Sequence, residues 1–307
     1  AEETMLGIER VDGLLERYPL RGIKGPVGTR LDQLDVLGSP EAVDALEAEI
    51  AERLGFARVL DSVGQVYPRS LDLDVVSALV QAVSAPASAA TTLRLMAGHE
   101  LATEGFRPGQ VGSSAMPHKM NARSAERVGA LRIVLGGHLT MAASLAGAQW
   151  NEGDVSCSAV RRTMLPDAFF AAEGLLQTAL LVFEELGVFE AVIEAELQRD
   201  LPFLATTRIL TAAVDAGLGR EEAHELVKEH AVAAALERRQ GTDVDLIGRL
   251  ADDQRLPLDR GALDELIARP TDFTGTAVAQ VARVVARAGK VIARHPEAAA
   301  AGAEVRV

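Results

Sequence analysis

Apolar residues recur every three or four positions along most of this 307-residue chain, which is the spacing of amphipathic helices. The pattern predicts helices over residues 1–18, 40–54, 70–105 and 160–186, and another that begins near 124. Pro86 removes one backbone hydrogen bond, so we expect a bend there. Pro166 falls in the early turns of its helix, where a proline costs least. His138 lies on an apolar stripe, which favours a packed, hydrogen-bonded histidine over a catalytic one.

Three long helices in one region indicate an all-α fold built as an elongated bundle. Beyond Gly187, shorter helices alternate with breaks that contain glycine or proline, which predicts a smaller all-α domain. The predicted domains are therefore a long-helix bundle over 1–187, carrying the segment 109–121, and a C-terminal domain over 188–307. The apolar stripes exceed what one chain needs to bury, so we expect association with identical copies.

Composition and charge argue against several classes of function. Acidic residues outnumber basic ones by 44 to 31, and the formal charge of −13 disfavours binding to nucleic acid. No uninterrupted apolar run reaches the roughly 18 residues expected of a membrane span, and the acidic start lacks the features of a secretion signal. Cys157 is the only cysteine, so no intrachain disulfide can form and a cytoplasmic setting is expected. We find no cluster of metal ligands.

Residues 109–121 hold the densest polar chemistry of the chain. Gly109, Gly112 and Pro117 favour an irregular loop between two helices. Within it lie two hydroxyls, an imidazole, an ammonium and a carboxamide, on Ser113, Ser114, His118, Lys119 and Asn121. A solvated connector is the ordinary interpretation of such a loop. The spacing G-S-x-x-M-x-x-K-x-N favours a functional loop instead.

Gly112, Ser113, Met116, Lys119 and Asn121 resemble the signature of the fumarase/aspartase superfamily, whose members cleave C–N or C–O bonds and release fumarate. The form Ser-Ser-Ala-Met-Pro-His-Lys is most similar to the adenylosuccinate lyase family. Other segments resemble the same family in the same order: 21–29, 64–69, 112–127, 150–162, 200–203 and 272–275. The resemblance implies the long-helix fold of that superfamily, a homotetramer with active sites shared between subunits, and no metal or other cofactor.

The resemblance also implies a chemistry. Fumarate is released when a proton leaves the carbon beside a carboxylate and the amine departs, so the negative charge that develops must be stabilised. Lys119 and Asn121 supply an ammonium and a carboxamide for that purpose. Ser113 corresponds to the family's base, and Ser114 is the weaker candidate. The family's acid is a histidine that would precede residue 1, so His118 is an auxiliary substrate contact at best.

Substrate contacts follow from the same resemblance. They are Gln65, Ser114, Met116, Arg127, Ser158, Arg162 and Lys24. Gly153 departs from the family pattern: arginine is common there and glycine contributes no charge, so another cation must serve or that contact is absent. Ala122 replaces the usual proline, which we expect to alter loop rigidity more than chemistry. Arg161 and Arg162 put two positive charges at a helix start, which is unfavourable for the helix and argues for a functional role.

The function implied by the resemblance is a C–N lyase of purine nucleotide synthesis. Its small-molecule substrates would be adenylosuccinate and the succinyl-carboxamide intermediate (SAICAR), with no nucleic acid or membrane as partner. A carboxymuconate cycloisomerase carries a very similar loop and is the alternative enzyme, although Gln65 and the arginines near 162 favour the lyase.

A non-catalytic helical assembly module is an interpretation from a different class, because no motif for the acid histidine exists in the chain. The chain opens within a helical pattern and without an initiator methionine. We therefore expect it to be the later part of a longer protein, with the acid histidine in the preceding part.

Overall fold

The computed structural model describes residues 1–105, 116, 118–150, 155–299 and 302. These residues are mostly helical, so the prediction of an all-α fold is confirmed. The chain divides into two compact units, one of residues 1–188 with 288–307 and one of residues 189–287. The domain boundary expected at residue 187 stays a prediction, because proximity within a structure does not test which segment folds independently.

The first unit contains the long helices. Its described elements are α1 (Glu2–Arg17), α2 (Leu31–Leu37), α3 (Pro40–Arg53), α4 (Ser70–Ala82), α5 (Ser84–Gly98), β1 (Ala102–Thr103), α6 (Arg123–Leu145), α7 (Val155–Glu185) and β2 (Gly187–Val188). β1 and β2 pair antiparallel, with Ala102 opposite Val188. This pairing connects the segment that follows α5 to the segment that follows α7.

The second unit consists of shorter helices. They are α8 (Glu190–Leu204), α9 (Thr206–Asp215), α10 (Arg220–Arg239), α11 (Leu246–Ala251) and α12 (Arg260–Ile267), followed by a 3₁₀ turn at Pro270–Thr274. Ile209, Leu226, Ile247 and Leu263 are among the side chains that form its own core. The last described helices of the chain are α13 (Ala277–Arg294) and α14 (Pro296–Ala299).

The core of the first unit lies among α4, α5, α6 and α7. Val128, Leu135 and Ala142 recur every seven residues along α6, so all three face the same side and are fully buried. Alanines such as Ala168 and Ala172 fill the facing positions of α7 and allow the helix backbones to approach closely. The periodicity of the sequence therefore predicted the buried face of α6, whereas Phe169 and Phe183, which the same periodicity places on the apolar stripe of α7, are exposed.

Pro86 and Pro166 both lie within helices of the structure. The predicted 70–105 helix is broken at Val83, just before Pro86, and ends at Gly98. α7 begins at Val155, five residues earlier than predicted, so Pro166 lies inside the helix and not in its early turns. Pro166 has no amide hydrogen, so the carbonyl of Arg162 loses its usual helical partner.

His138 is buried on α6 as predicted, and neither of its ring nitrogens has a hydrogen-bond partner among the residues that the structure describes. The burial is therefore as expected, and the hydrogen bond stays a prediction.

The long helices also expose apolar side chains. Ile133 on α6 and Phe169, Phe170 and Phe183 on α7 are each at least half exposed. Three stretches, Ser70–Gly98, Arg123–Leu145 and Val155–Glu185, are long and apolar enough to cross a membrane by length and composition alone. The same stretches supply the core of the first unit, where α6 packs along α7.

Candidate functional site

Three of the predicted site residues lie just before α6. The backbone amide of Lys119 donates to the carbonyl of Met116 at 3.0 Å, and the amide of Arg123 donates to the carbonyl of Asn121 at 2.9 Å. These turns lead the chain into the first turn of α6, whose amides make the local field positive. Lys119 is exposed there. The predicted base Ser113 and its neighbour Ser114 lie outside the described residues, as does Gly153.

Glu104 anchors the start of α6. Its two carboxylate oxygens accept hydrogen bonds from the amides of Ser124 and Ala125, each at 2.8 Å, and the side chain is buried. The carboxylate satisfies two amides that have no partner within the helix and complements the helix dipole. No sequence pattern indicates this role, because the acceptor lies 20 and 21 residues before its two donors.

Replacing Glu104 with alanine is expected to lower the free energy of unfolding by about 2–3 kcal/mol, because two buried amides lose a charged acceptor. Glu104→Gln, which keeps one acceptor oxygen, should lose less. Urea-induced unfolding followed by circular dichroism measures both variants. Glu126→Ala, on the exposed side of the same first turn, is the control and should change stability by about 0.5 kcal/mol or less. Equal losses for Glu104→Ala and Glu126→Ala would contradict the assigned role.

Tyr67, Asp72 and Arg161 form a network between the segment 64–69, α4 and α7. The Tyr67 hydroxyl donates to Asp72 Oδ1 at 2.7 Å, and Arg161 Nε donates to Asp72 Oδ2 at 2.6 Å. Arg161 Nη2 also donates to the Tyr67 hydroxyl. Burial, and then the hydrogen bond to Asp72, raise the pKa of Tyr67 above its usual value, so the phenol stays neutral.

Arg69 lies beside this network. Its backbone amide donates to Gln149 Oε1 at 2.6 Å, and Gln149 Nε2 donates to the carbonyl of Tyr67 at 3.4 Å. The Arg69 guanidinium lies 4.7 Å from the centre of the Tyr67 ring, and its Nε donates to Cys157 Sγ at 2.9 Å. The segment 64–69 is thus fastened to the first turn of α7.

The helical repeat of α7 separates two pairs of residues. Cys157 and Arg161 are one turn apart and face the network, whereas Ser158 and Arg162 are one turn apart on the next face. Arg162 is exposed, and Arg161 is largely buried against Asp72. The adjacent arginines therefore have different roles: Arg161 makes a structural contact, and Arg162 remains available for a ligand. The network holds the segment that bears Gln65 against the part of α7 that bears Ser158 and Arg162.

Arg21 fixes the loop that precedes α2. Its Nη2 donates to the carbonyls of Gly64 at 2.7 Å and Gly25 at 2.9 Å. These bonds hold the loop against Gly64, the residue before Gln65. Gly28 has a φ of +84°, and a Cβ at this position would collide with the carbonyl oxygen of Val63. Only glycine satisfies both conditions without strain.

Lys24 lies in the same loop but is only 2% exposed. Its Nζ donates to Glu47 Oε2 at 2.6 Å, and Arg30 Nη1 lies 3.5 Å from the same oxygen. The substrate contact expected for Lys24 stays a prediction, since in this structure its ammonium is paired with a carboxylate. Gln65 and Arg127 are exposed, and neither side chain makes a hydrogen bond or ion pair to the part of the chain that the structure describes.

No group of three or more histidine, cysteine or acidic side chains among the described residues is arranged to hold a metal ion. The polar side chains gathered around the segment 64–69 and the start of α7 are mainly hydrogen-bond donors and cations, which suits an anionic organic ligand better than a metal.

Comparison with known proteins identifies relatives along most of the chain. A family model described as "Adenylosuccinate lyase C-terminus" matches residues 202–284. The chain is 38% identical over 269 residues to adenylosuccinate lyase of Saccharomyces cerevisiae, covering 87% of the chain and 55% of the yeast protein. It is 33% identical over 284 residues to the same enzyme of Schistosoma mansoni, covering 91% of the chain and 59% of that protein. The chain thus spans less than two thirds of either relative.

Solved structures share the fold. The 3-carboxy-cis,cis-muconate lactonizing enzyme from Pseudomonas putida superposes with a TM-score of 0.75 at 21% identity, over 91% of this chain and 60% of that one. A fumarate lyase from Mesorhizobium superposes with a TM-score of 0.72 at 19% identity, again over 91% and 60%. At these identities the likeness establishes the long-helix fold alone.

Proposed function

We infer that this chain, which belongs by sequence to the adenylosuccinate lyase family, takes part in the elimination of fumarate from adenylosuccinate and SAICAR. One observation carries this proposal. The segment of Gln65 and the start of α7 with Ser158 and Arg162, which are separate in sequence, are fastened together by the bonds of Arg161 and Arg69. Both segments match the family's substrate contacts, so a single ligand would meet residues from each.

The proposed reaction removes a proton from the carbon beside a carboxylate of the succinyl group. The C–H electron pair becomes the new double bond of fumarate, and the C–N bond electrons leave with the amine. In the dianionic intermediate, negative charge accumulates on the carboxylate, where Lys119 neutralises it and Asn121 orients it. The amide-rich start of α6 adds to the same positive field. Ser113 acts as the base, and the departing nitrogen takes its proton from an acid other than these residues.

Arg127 and Arg162 suit the anionic parts of the substrate. Arg127 lies in the second turn of α6, close in sequence to Lys119 and Asn121, and Arg162 lies one turn beyond Ser158. A guanidinium presents parallel donors that match a carboxylate or phosphate. The overall charge of −13 does not oppose this, because local cations outweigh distant charges at short range.

We also propose that identical copies assemble through the long helices, with sites shared between subunits, in the cytoplasm. The exposed apolar side chains of α6 and α7 support such an assembly, since large exposed apolar patches mark interaction surfaces. Light scattering after size exclusion tests it: a monomeric mass at micromolar concentration would contradict the assembly.

Fumarate release tests the activity. The chain is incubated with adenylosuccinate alone, and then together with the part of the Saccharomyces relative that lies outside the aligned region. We expect fumarate, read from its ultraviolet absorbance, at least in the mixture. Turnover of 3-carboxy-cis,cis-muconate in place of adenylosuccinate would favour the cycloisomerase. Absence of any product from either substrate would favour a non-catalytic assembly module.

A further inference from the structure

Arg69 is a buried cation that contacts no carboxylate in the part of the chain that the structure describes. Its residue is 5% exposed, and across the described residues its side chain forms one hydrogen bond, from Nε to the Cys157 sulfur. The terminal nitrogens Nη1 and Nη2 donate to no described residue, and neither is among the fully buried unpaired atoms. Both therefore keep a narrow access to solvent while the rest of the side chain is enclosed.

The charges around Arg69 do not balance. Among the described residues, Arg69 and Arg161 are two cations and Asp72 is the one carboxylate that either contacts, so the described part of this group carries a net charge of one positive. Both oxygens of Asp72 are already taken, by Arg161 and by Tyr67. Tyr67 is neutral because its pKa is raised by burial and by Asp72. An enclosed charge without a counter-ion is unfavourable, so the arrangement suits an anion supplied by a ligand.

Arg69 also lies where the proposed ligand contacts meet. It ends the segment that bears Gln65, and it bonds to Cys157, whose neighbour in sequence is Ser158. The free terminal nitrogens of a guanidinium form the planar fork that fits phosphate oxygens. Gly153 contributes no cation at the position where the resemblance leads one to expect arginine.

We propose that Arg69 binds the phosphate monoester of the nucleotide substrate through Nη1 and Nη2, and that it supplies the positive charge missing at Gly153. This assignment rests on the proposed function, because that function provides the nucleotide. Arg162 and Ser158 are the expected companions of Arg69. Cys157 accepts the hydrogen bond from Arg69 Nε, which leaves both terminal nitrogens for the ligand.

The test compares AMP with adenosine, which lacks only the phosphate, by isothermal titration calorimetry. The unaltered protein should bind AMP more tightly than adenosine. In Arg69→Gln that preference should fall by about 10- to 100-fold, the range expected for a charge-assisted contact, while the affinity for adenosine changes little. An unchanged preference in Arg69→Gln would overturn the assignment.

Two variants at Cys157 separate ligand binding from a structural role. Cys157→Ala removes the sulfur and leaves the guanidinium, so the preference for AMP should persist; a fall equal to that of Arg69→Gln would show that Arg69 acts only by holding α7. Cys157→Asp places a competing carboxylate beside the guanidinium and should weaken AMP binding by about 10-fold. Cys157→Asp keeps Arg69, so comparing its AMP affinity with that of Cys157→Ala tests the assignment even if Arg69→Gln does not fold.

Inorganic phosphate makes the result independent of catalysis. It should raise the midpoint of thermal unfolding of the unaltered protein and of Cys157→Ala, and raise it less in Cys157→Asp. No phosphate effect in the unaltered protein would overturn the inference even if fumarate were released. A phosphate effect that depends on Arg69, without fumarate release, would leave the binding site standing and refute the lyase activity.

Discussion

Replacing Ser113 with alanine is expected to lower the rate of fumarate release by about 10²- to 10⁴-fold, the usual contribution of a positioned general base. Alanine has no group that accepts the proton, whereas Lys119 and Asn121 would still hold the carboxylate of the substrate. The loss should therefore appear in kcat, with little change in KM. Steady-state fumarate formation from adenylosuccinate, followed by absorbance, measures it under conditions where the unaltered sequence is active.

Ser114→Ala is the matched control for this result. It removes a hydroxyl from the neighbouring position and leaves Ser113 in place, so kcat should fall much less. Undiminished fumarate release by Ser113→Ala, or equal losses in the two variants, would refute the assignment of Ser113 as the base. Both serines lie outside the described residues, so the assignment rests on the spacing of the motif and on the resemblance.

Asp72→Asn is expected to lower the free energy of unfolding by about 3–5 kcal/mol, the usual effect of breaking a buried ion pair. Asp72 is 1% exposed and holds both Arg161 and Tyr67. Asparagine removes the negative charge, so Arg161 and Arg69 would lie close together with no counter-ion among the described side chains. Urea-induced unfolding, followed by circular dichroism, measures the change.

Asp74→Asn provides a comparison on the same helix. Asp74 pairs with Arg17 at 2.8 Å, but both side chains are more than one third exposed, so water and salt screen the pair. We expect a loss of about 1 kcal/mol or less. The assigned role of Asp72 would be wrong if the two variants were equally stable. A loss confined to the Asp72 variant supports the network that fastens α7 to the segment 64–69.

The long helices were predictable because apolar residues recur every three or four positions along them, but the short α2 was not predicted and the helix ends were less predictable. The predicted start of α7 at residue 160 missed the turn formed by Val155, Ser156, Cys157 and Ser158, which has little apolar periodicity. That turn is held by contacts with Arg69, which is 88 residues distant in sequence from Cys157. Local pattern carries no information on such contacts, so tertiary structure decided the boundary.

The site residues also divide into those that the sequence indicates and those that only the structure reveals. The resemblance to the family implied that Gln65, Lys119, Asn121, Ser158 and Arg162 are site residues, and their roles remain predictions. Neither Asp72 nor Glu104 could be found in this way, because Arg161 lies 89 residues from Asp72 and the amides bound by Glu104 lie 20 and 21 residues from it. The sequence does not distinguish Arg161 from Arg162. The geometry of α7 shows that Arg161 is largely buried against Asp72 and that Arg162 is exposed.

The hydrogen bonds from Arg21 to main-chain carbonyls bear on how ligand selectivity could be altered. Because Arg21 holds the carbonyl oxygens of Gly64 and Gly25, its hold does not depend on which side chain follows at position 65. A library of substitutions at Gln65 would therefore vary the group presented to a ligand on an anchored backbone. Directed evolution at this position can explore new specificities with little penalty in folding.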